Sequence, residues 1–488
     1  MPSDPAKTIA QKIVGRLQQS GFAAFWVGGC VRDFLLGREP QDFDIATDAR
    51  PEQIEALFPK TIPVGRKFGV IIVVEDGHQF QVATFRAEAE YRDGRRPAKV
   101  SFASAEADAL RRDFTVNGLF YDPLTEKTHD WVGGGKDLRA KTIRAIGPPE
   151  ERFAEDHLRL LRAVRFAAQL GFEIEPQTFA AIKTLAPKIR LISAERIHDE
   201  LIKLFAPPRA DFFSSASGGD VRSEEAEVSN IQFPSPRPSP RLGGEREKQT
   251  PAARGLVLLR DSGLLAQILP ELATTISCEQ SPDYHPEGTV FEHIRLMLDK
   301  LPPGADELLP WAVLLHDIAK PVTAEKDLQT GAIHFYGHEK IGAEMARVIL
   351  SRLRFPKKQI DEIVVCVRNH MQFKDVKQMR KATLRRLLLR PTFRLELELH
   401  RLDCLGSHGD LSHYNFLMEQ AEELKRKPKI RPPLLNGKDL IALGMKPGPA
   451  MGKLLAEIRE KQLADELKTR RQAKAWVGKE LRRLVPGG

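Results

Sequence analysis

Two aspartates separated by one residue give the clearest chemical signal in this chain of 488 residues. Asp42 and Asp44 stand in the segment DFDIAT, and a strand there would place both carboxylates on one face and the apolar residues between them on the other. A glycine pair, Gly28-Gly29, ends an apolar run shortly before them, and a glycine turn at a helix start lets backbone N–H groups approach an anion. Two carboxylates beside such a turn suit divalent cations that bridge triphosphate oxygens.

Each half of this pattern, taken alone, is more often structural than functional. A single Asp-x-Asp is usually a turn or a solvated strand face, and a glycine pair is weaker still. Their combination is more specific, and GGCVRDFLLG followed by DFDIAT resembles the bacterial tRNA nucleotidyltransferase/poly(A) polymerase family. The resemblance implies that Asp42 and Asp44 are catalytic and hold Mg²⁺. It also implies that Gly28, Gly29 and Arg32 serve the triphosphate pocket.

A second matching segment is RRDFTVN, residues 111–117. Alone it could be a helix start with a surface charge cluster. Through the resemblance, Asp113 and Asn117 are implied to help to bind the ribose and the triphosphate, and arginines such as Arg111 and Arg112 are chemically suited to phosphates.

The segment ERFAEDHLRLLRAVRFAAQLGF predicts one amphipathic helix over 151–172. Its arginines Arg159, Arg162 and Arg165 recur every three residues, which is usually a solvated basic face. However, Glu155-Asp156-x-x-Arg159 resembles the family's EDxxR motif, which implies that Asp156 and Arg159 select the incoming base, with Arg162 and Arg165 also assigned to nucleotide binding.

The chemistry of that pair agrees with selection of C and A. A carboxylate only accepts hydrogen bonds and a guanidinium only donates them. Cytosine and adenine both offer an amino donor beside a ring-nitrogen acceptor, whereas uracil and guanine reverse this order and would leave charged groups unpaired. Asp156 and Arg159 would therefore accept CTP and ATP and reject UTP and GTP.

One position departs from the family pattern. Relatives commonly carry a third carboxylate in the strand before VATFR, where this chain has Gln81. An amide oxygen can ligate a cation but brings no negative charge. The identity of a third metal ligand is therefore open.

A second group of polar residues lies in the C-terminal half. The segments FEH, LLHDIAKP, YGHEK, RNHMQF and RLDCLG resemble an HD-type metal-dependent phosphohydrolase domain. Each histidine alone is more often a satisfied core or surface residue. The resemblance implies six metal ligands, namely His293, His316, Asp317, His338, His370 and Asp403. The metal would be Mn²⁺, Ni²⁺ or another divalent ion, and a metal-activated water attacking a phosphate ester is the implied chemistry.

Composition bounds the rest of the interpretation. The net charge of +9 permits a polyanionic partner without requiring one. Four widely separated cysteines without a CxxC pair indicate reduced thiols, and no apolar run approaches the length of a membrane span, so a cytoplasmic protein without a membrane partner is expected. Repeated Ser-Pro and little apolar periodicity predict a disordered insert at about 211–252.

The expected fold class is α+β, with a small nucleotidyltransferase-type mixed β-sheet head followed by an all-α body. Four domains are predicted from the sequence. They are the catalytic head (1–148), a helical neck and body that binds RNA and nucleotide (149–284), an HD-type domain (285–410) and a helical tail (411–488).

The resemblance implies template-independent addition of CCA to tRNA 3′ ends from CTP and ATP, with a possible accessory HD activity. Poly(A) polymerase is the nearest alternative, and VGRKFGV without the longer continuation of that branch favours CCA addition. Partial enzymes that add only CC or only A are a further alternative. An HD phosphohydrolase whose head merely binds RNA is the alternative from another class. The oligomeric state does not follow from the sequence.

Overall fold

The computed structural model describes residues 5–91, 97–208, 249–281, 285–330, 332–426 and 432–484. The chain divides into two compact units, 1–273 and 274–488. The expected α+β class is confirmed, because a mixed sheet near the N-terminus is followed by a helical remainder. The four predicted domains within these units stay a prediction.

Unit 1 contains a seven-stranded sheet with the order β3-β4-β5-β2-β1-β8-β9. Its strands are β1 (Ala24–Val27), β2 (Ile45–Thr47), β3 (Thr61–Gly65), β4 (Val70–Glu75), β5 (His78–Thr84), β8 (Phe120–Asp122) and β9 (Lys127–His129). A hairpin pair, β6 (Arg86–Tyr91) with β7 (Pro97–Phe102), and a short parallel pair, β10 (Thr142–Ile143) with β11 (Glu173–Ile174), lie outside that sheet.

The topology brings several chain segments to one edge of the sheet. Strand β1 is antiparallel to both β2 and β8, so the end of β1 adjoins the starts of the other two. Strand β5 is parallel to β2, and Val82 pairs with Ile45. The glycine turn after β1, the aspartates before β2 and the 3₁₀ segment Thr115–Asn117 before β8 therefore meet at this edge.

Aromatic packing holds that edge in place. Trp26 of β1 is buried, and its ring centroid lies 4.8 Å from that of Phe43, which separates the two aspartates. On the other face, Phe85 and Phe120 belong to a buried cluster with Val27. Burial of large apolar side chains on both sides of β1 fixes the strand that carries the turn.

The helices of unit 1 surround the sheet and continue beyond it. They are α1 (Pro5–Gln19), α2 (Gly29–Leu35), α3 (Pro51–Leu57), α4 (Ala105–Leu110), α5 (Gly134–Arg139), α6 (Pro149–Glu155), α7 (Leu158–Leu170), α8 (Pro176–Leu185), α9 (Ala194–Phe205), α10 (Pro251–Asp261), α11 (Leu264–Ile268) and α12 (Pro270–Ala273). A 3₁₀ segment, Ala186–Leu191, connects α8 to α9.

The prediction of one helix over 151–172 was wrong. The chain breaks between α6 and α7, where Asp156 adopts an extended conformation with φ −152° and ψ 104°. Its Oδ1 accepts a hydrogen bond from the N–H of Leu158 at 3.0 Å. A short acceptor side chain thus satisfies a donor at the start of α7, which favours a new helix over continuation of the old one.

Two further expectations need correction. The predicted disordered insert extends too far, because Thr250 caps α10, Pro251 begins it and Ala252 is buried. The remaining residues of the predicted insert, except 249, lie outside the described ranges. The body is not entirely α-helical, because it contains β10–β11 and, in unit 2, an antiparallel pair of β12 (Ala324–Lys326) and β13 (Ile333–Phe335).

Unit 2 is otherwise helical. Its helices are α13 (Val290–Asp299), α14 (Leu309–Leu315), α15 (Lys320–Thr323), α16 (His338–Arg352), α17 (Lys357–Asn369), α18 (Lys381–Leu388), α19 (Phe393–Gly406), α20 (Ser412–Arg426), α21 (Gly437–Ala442), α22 (Pro449–Leu463) and α23 (Arg470–Leu484). The 3₁₀ segments Thr274–Ser277 and His370–Gln378 complete it. Across the described ranges of both units, no helix combines the length and the apolar character that a membrane crossing needs.

Candidate active site and metal centre

The glycine turn at the end of β1 has a conformation that requires glycine. Gly28 has φ +76° and ψ −132°, which L side chains rarely adopt. A Cβ at this position would lie 3.0 Å from Nη1 of Arg112. Arg112 is held from behind by the buried carboxylate of Asp108, with Nη2 and Oδ2 3.1 Å apart. A guanidinium thus lies against the turn, as an anion site would need.

Asp42 and Asp44 lie next to this turn. The main-chain oxygen of Asp44 accepts a hydrogen bond from the N–H of Val27 at 3.0 Å. Both aspartates precede β2, which begins at Ile45, while the expected alternation holds because Phe43 and Ile45 are buried. Burial and the neighbouring charge of Asp42 raise the pKa of Asp44 to about 6, although Arg112 opposes the shift. Two carboxylates that disfavour each other's charge are a fitting donor set for a divalent cation.

Gln81 occupies the neighbouring strand position. It directly precedes Val82, the partner of Ile45, and its side chain is exposed like that of Asp42. It therefore lies beside the aspartates in register but adds no charge there.

The raised pKa of Asp44 leads to a stability prediction for the protein in EDTA. Because the pKa is about 6 in the folded chain and about 3.9 in an unfolded one, ionised Asp44 destabilises the fold at pH 8. We expect Asp44→Asn to raise the midpoint of thermal unfolding at pH 8. The gain should shrink as the pH falls from 6 towards 4, since Asp44 in the folded state then takes up a proton and its unfavourable charge is lost.

Calorimetry in EDTA over this pH series checks the sign. Asp48→Asn, at an exposed position just after β2, is the matched control and should change nothing. An Asp44→Asn midpoint below that of the parent at pH 8 would contradict the assigned electrostatics.

A row of hydrogen bonds connects the turn region to α7. Nη1 of Arg32 donates to Oδ1 of Asn117 at 2.8 Å, and Nδ2 of Asn117 donates to Oδ1 of Asp113 at 3.2 Å. Arg162 then donates to Oδ2 of Asp113 through Nε at 2.9 Å and Nη2 at 2.6 Å. Four of the predicted nucleotide-binding residues are thereby brought together, although they are spread over 130 positions (162 − 32).

Electrostatics stabilise the charged forms in this row. Although burial alone would raise it, the pKa of Asp113 is lowered because Arg162 and Asn117 bond to its carboxylate. The ring of Phe166 contacts three guanidinium groups, those of Arg32, Arg162 and Arg165, with centroid distances of 5.3, 5.2 and 4.0 Å. All three cations lie against one aromatic ring, which lowers the cost of placing them close together.

The arginines of α7 do not form the solvated basic face that was the alternative to nucleotide binding. Arg159 and Arg165 are buried, and Arg162 is partly buried. Nε of Arg165 lies 2.5 Å from Oε2 of Glu200 on α9, a carboxylate that Arg162 also approaches at 3.5 Å. Arg165 thus belongs to a buried ion-pair cluster, which favours a structural role for it.

The predicted base-reading residues do not pair with each other. Arg159 donates to Glu155 and, at 2.8 Å, to the carbonyl of Arg152. Asp156 instead forms an ion pair with Arg196, where Nη2 and Oδ2 are 2.6 Å apart. Asp156 and Arg159 therefore each have a separate partner, and both remain at the start of α7.

In unit 2, three of the six predicted metal ligands converge on a fourth, Asp317. Its carboxylate lies 3.1 Å from Nε2 of His316, 3.4 Å from Nε2 of His338 and 3.6 Å from Nε2 of His370. Lys320 also approaches it, at 2.6 Å. The aspartate and the three histidines are buried. Charged groups are rarely buried unless they have a charged partner or bind a metal.

The orientation of these histidines fits metal ligation. His316, His338 and His370 each direct Nδ1 at a main-chain carbonyl three residues earlier in the chain, at 2.8, 2.7 and 2.7 Å. If Nδ1 carries the proton, Nε2 offers a lone pair towards Asp317, which is the usual arrangement of a metal-bound histidine. Nε2 of His316 is buried without a hydrogen-bond partner among the described residues. These residues fit a divalent cation.

His293 and Asp403 form the other part of the centre. Nε2 of His293 lies 3.0 Å from Oδ1 of Asp403, and Nδ1 lies 2.6 Å from Oε1 of Glu287. Although burial disfavours its charged form, these two carboxylates raise the pKa of His293 to about 9. The rings of His293 and His316 are 5.5 Å apart, so all six predicted residues belong to one connected cluster.

The titratable groups of this centre differ in the direction of their pKa shifts. Burial lowers the pKa of His316 and so favours the neutral ring that ligates a metal. Burial would raise the pKa of Asp317, but the positive charge of His316, when that ring is protonated, and the charge of Lys320 hold it well below its usual range. A neutral imidazole beside a firmly ionised carboxylate is the donor set that a divalent ion requires.

We expect Mn²⁺ to stabilise unit 2 through this cluster. In an Asp42→Ala/Asp44→Ala background, Mn²⁺ at about a hundred times its Kd should add ~2.7 kcal/mol to the free energy of unfolding. His316→Ala should abolish the gain because it removes a buried ligand. His408→Ala, at an exposed position, is the control.

Scanning calorimetry of each variant, with and without Mn²⁺, measures the change in the free energy of unfolding. An equal gain in His316→Ala and in the background protein would contradict metal binding at the cluster.

Sequence reasoning missed several residues that complete these sites. They are Asp108, Glu155, Arg196, Glu200, Glu287 and Lys320. The position of Lys320 in HDIAK, one helical turn after Asp317, was a usable signal, and so was Glu155 four residues before Arg159. Arg196, Glu200 and Glu287 gave no local signal, because their partners are distant in sequence or lie in another element.

Comparison with protein-family models gives three matches. Residues 24–144 match the Poly A polymerase head domain, 171–213 match the probable RNA and SrmB-binding site of polymerase A, and 284–405 match the HD domain. Nucleotidyltransferase and HD domains generally use divalent metals, which agrees with the carboxylate and histidine groups described above.

Curated relatives are similar to about two fifths of the chain. The CCA-adding enzyme of Bacillus pumilus is 46% identical over 198 residues, which are 40% of this chain and 49% of that enzyme. The CCA-adding enzyme of Geobacillus stearothermophilus is 47% identical over 199 residues, 41% of this chain and 49% of that enzyme. The chain thus spans about half the length of the curated relatives it matches.

Solved structures are similar over nearly the whole chain. The CCA-adding enzyme of Bacillus stearothermophilus in complex with CTP has a TM-score of 0.69 and 28% identity, with 98% of each chain covered. The Thermotoga maritima CCA-adding enzyme complexed with tRNA has a TM-score of 0.55 and 17% identity, with 98% of this chain and 96% of that chain covered. The second likeness concerns the fold alone.

Proposed function

We propose that this chain is a tRNA nucleotidyltransferase that adds C, C and A to tRNA 3′ ends without a nucleic-acid template, and its similarity to the Poly A polymerase head domain and to CCA-adding enzymes supports the proposal. CTP and ATP are the substrates and pyrophosphate is the product. The observation that carries the proposal is the hydrogen-bonded row Arg32–Asn117–Asp113–Arg162, which joins α2, directly after the glycine turn, to α7. The proposed triphosphate site at the glycine turn is thereby connected to α7, where the proposed base-selecting site lies.

Each residue has a proposed task in the transfer. Gly28, Gly29 and Arg32 receive the triphosphate, and Asp113 and Asn117 address the ribose. Asp156 and Arg159 select the base, and Arg162 holds Asp113 in position. Arg165 supports Arg162 through Glu200, and any direct nucleotide contact of Arg165 stays a prediction.

The reaction itself is a displacement at phosphorus. The 3′ hydroxyl of the tRNA attacks the α-phosphorus, a new P–O bond forms, and the bond from the α-phosphorus to the bridging oxygen breaks. Pyrophosphate leaves with that bond's electron pair, and the hydroxyl proton passes to solvent. Asp42 and Asp44 would hold Mg²⁺, which lowers the hydroxyl pKa and offsets charge on the leaving group when bound.

For the second centre we propose a divalent metal site that hydrolyses phosphate esters of nucleotides or RNA ends. The directed Nε2 atoms of His316, His338 and His370 around Asp317 support it, with His293 and Asp403 completing the set. Mn²⁺ or Ni²⁺ suits these nitrogen and oxygen donors. If protein loaded with either metal cleaves neither a generic phosphodiester nor a 2′,3′-cyclic nucleotide, the hydrolase proposal is wrong.

The assay that tests the main proposal uses tRNA that lacks its CCA end, incubated with CTP, ATP or both. We expect two C residues with CTP alone and a complete CCA end with both. A long A tail would identify a poly(A) polymerase, and CC or A alone would identify a partial enzyme. No extension, together with hydrolysis by the second centre, would favour the HD hydrolase with an RNA-binding head. A cytoplasmic location and the four-domain division belong to the same proposal.

A further inference from the structure

The carboxylate of Asp156 is already engaged on three sides. Oδ1 accepts from the N–H of Leu158 at 3.0 Å and from Nη1 of Arg196 at 3.2 Å. Oδ2 accepts from Nη2 of Arg196 at 2.6 Å. The side chain of Asp156 is 20% exposed and that of Arg196 is 30% exposed, so a ligand can still reach both.

The carboxylate of Asp156 retains one acceptor position for a ligand. An ionised carboxylate offers about four lone-pair sites, two on each oxygen. Leu158 and Arg196 fill both sites on Oδ1 and one on Oδ2. One site on Oδ2 is left, which matches the single N–H that a base amino group donates to one partner.

Arg196 itself is firmly placed. It belongs to the first turn of α9, and Glu200 follows it one helical turn later, on the same face. Glu200 is 4% exposed and forms the ion pairs with Arg162 and Arg165 of α7. The buried ion pairs therefore fix the helix from which Arg196 reaches Asp156.

We propose that Arg196 is a positioning residue for base selection, and that it sets the orientation and the number of free acceptor sites of Asp156. This inference rests on the proposed function. With Arg196 in place, Asp156 presents one ionised acceptor in one direction, so the amino group of cytosine or adenine is bound and the carbonyl oxygen of uracil or guanine faces an acceptor. Without the bidentate fork, the carboxylate is free to rotate and to bind water, and the penalty for a wrong base decreases.

The test compares kcat/KM for CTP with kcat/KM for UTP. We expect Arg196→Ala to reduce this ratio about tenfold, since a charge-assisted hydrogen bond is worth ~1.5 kcal/mol or more. Arg196→Lys keeps the charge but loses the planar fork, and should reduce the ratio in the same direction. Arg190→Ala, at an exposed arginine just before α9, should leave the ratio unchanged.

A double-mutant cycle shows whether Arg196 acts through Asp156. In an Asp156→Ala background, Arg196→Ala should cause no further loss of discrimination. A further loss of similar size in that background would overturn the proposal. So would an Arg196→Ala protein that is merely slower with both nucleotides while its CTP-to-UTP ratio is unchanged.

Failure of the proposed function is distinguishable from failure of this inference. If the parent protein extends no tRNA, the proposed function fails. The ratio of CTP to UTP affinity, measured by calorimetric titration with Mg²⁺, then decides on Arg196. A tenfold smaller affinity ratio in Arg196→Ala would support its role, whereas equal ratios in parent and variant would overturn it.

Discussion

Replacement of Asp44 by alanine is expected to reduce nucleotide addition by about a thousandfold or more, because the site loses a carboxylate for the divalent cations that stabilise charge in phosphoryl transfer. Asp42→Ala should have an equivalent effect. The loss should be large here because Gln81, at the neighbouring strand position, is neutral and cannot replace the missing charge.

Single-turnover measurement of CMP transfer to a tRNA that lacks its CCA end gives the rate. Asp48→Asn is the matched control, since it alters an exposed carboxylate just beyond β2. Metal-dependent stabilisation at the His316 cluster should persist in Asp42→Ala and in Asp44→Ala, which excludes general unfolding as the cause. Retention of more than a tenth of the parent rate in either variant would refute the metal assignment.

Replacement of Glu200 by alanine is expected to cause the largest loss of stability, about 3–5 kcal/mol. Glu200 is buried, and its removal leaves the guanidinium of Arg165 uncompensated in a site where that side chain is only 10% exposed. Arg162 loses a second partner in the same change. An unpaired buried charge is costlier than the loss of the ion pair itself.

Denaturant unfolding monitored by circular dichroism measures this loss. Asp199→Asn, which alters an exposed carboxylate on the same helix, should change the midpoint little. The double variant Arg165→Met/Glu200→Leu removes both charges and should recover most of the stability. Equal stability of Glu200→Ala and the parent would show that the cluster contributes nothing to the fold.

The fold class could be predicted from the sequence, and so could the proximity of the glycine turn to the two aspartates, because these signals are local. Glycine turn, helix start and paired aspartates follow one another within twenty residues, and Phe43 between the aspartates predicts which face is buried. The HD centre was predictable as a residue set through family resemblance. Its geometry was not, because the contacts of His316 and His370 with carbonyls three residues earlier depend on how the helices end.

The features that could not be predicted depend on partners far apart in the chain. Arg196 is 40 residues from Asp156, and Glu200 is 35 residues from Arg165. Helical periodicity continues through Asp156, so the pattern favoured one long helix. In the structure the backbone of Asp156 is extended and its side chain accepts a hydrogen bond at the start of a new helix. The regular arginine spacing left a solvated face open as an alternative, because a sequence pattern does not show that α9 packs against α7.

The proposed function requires that one site adds three nucleotides and then stops. Sequencing the 3′ ends of tRNA after incubation with CTP and ATP together tests it most directly, with tRNAs ending before the first C, after one C and after both as substrates. We expect all three to converge on one CCA end without further extension, and we expect no incorporation of UTP or GTP. Products that carry A tails of variable length, or U and G in place of C and A, would contradict it.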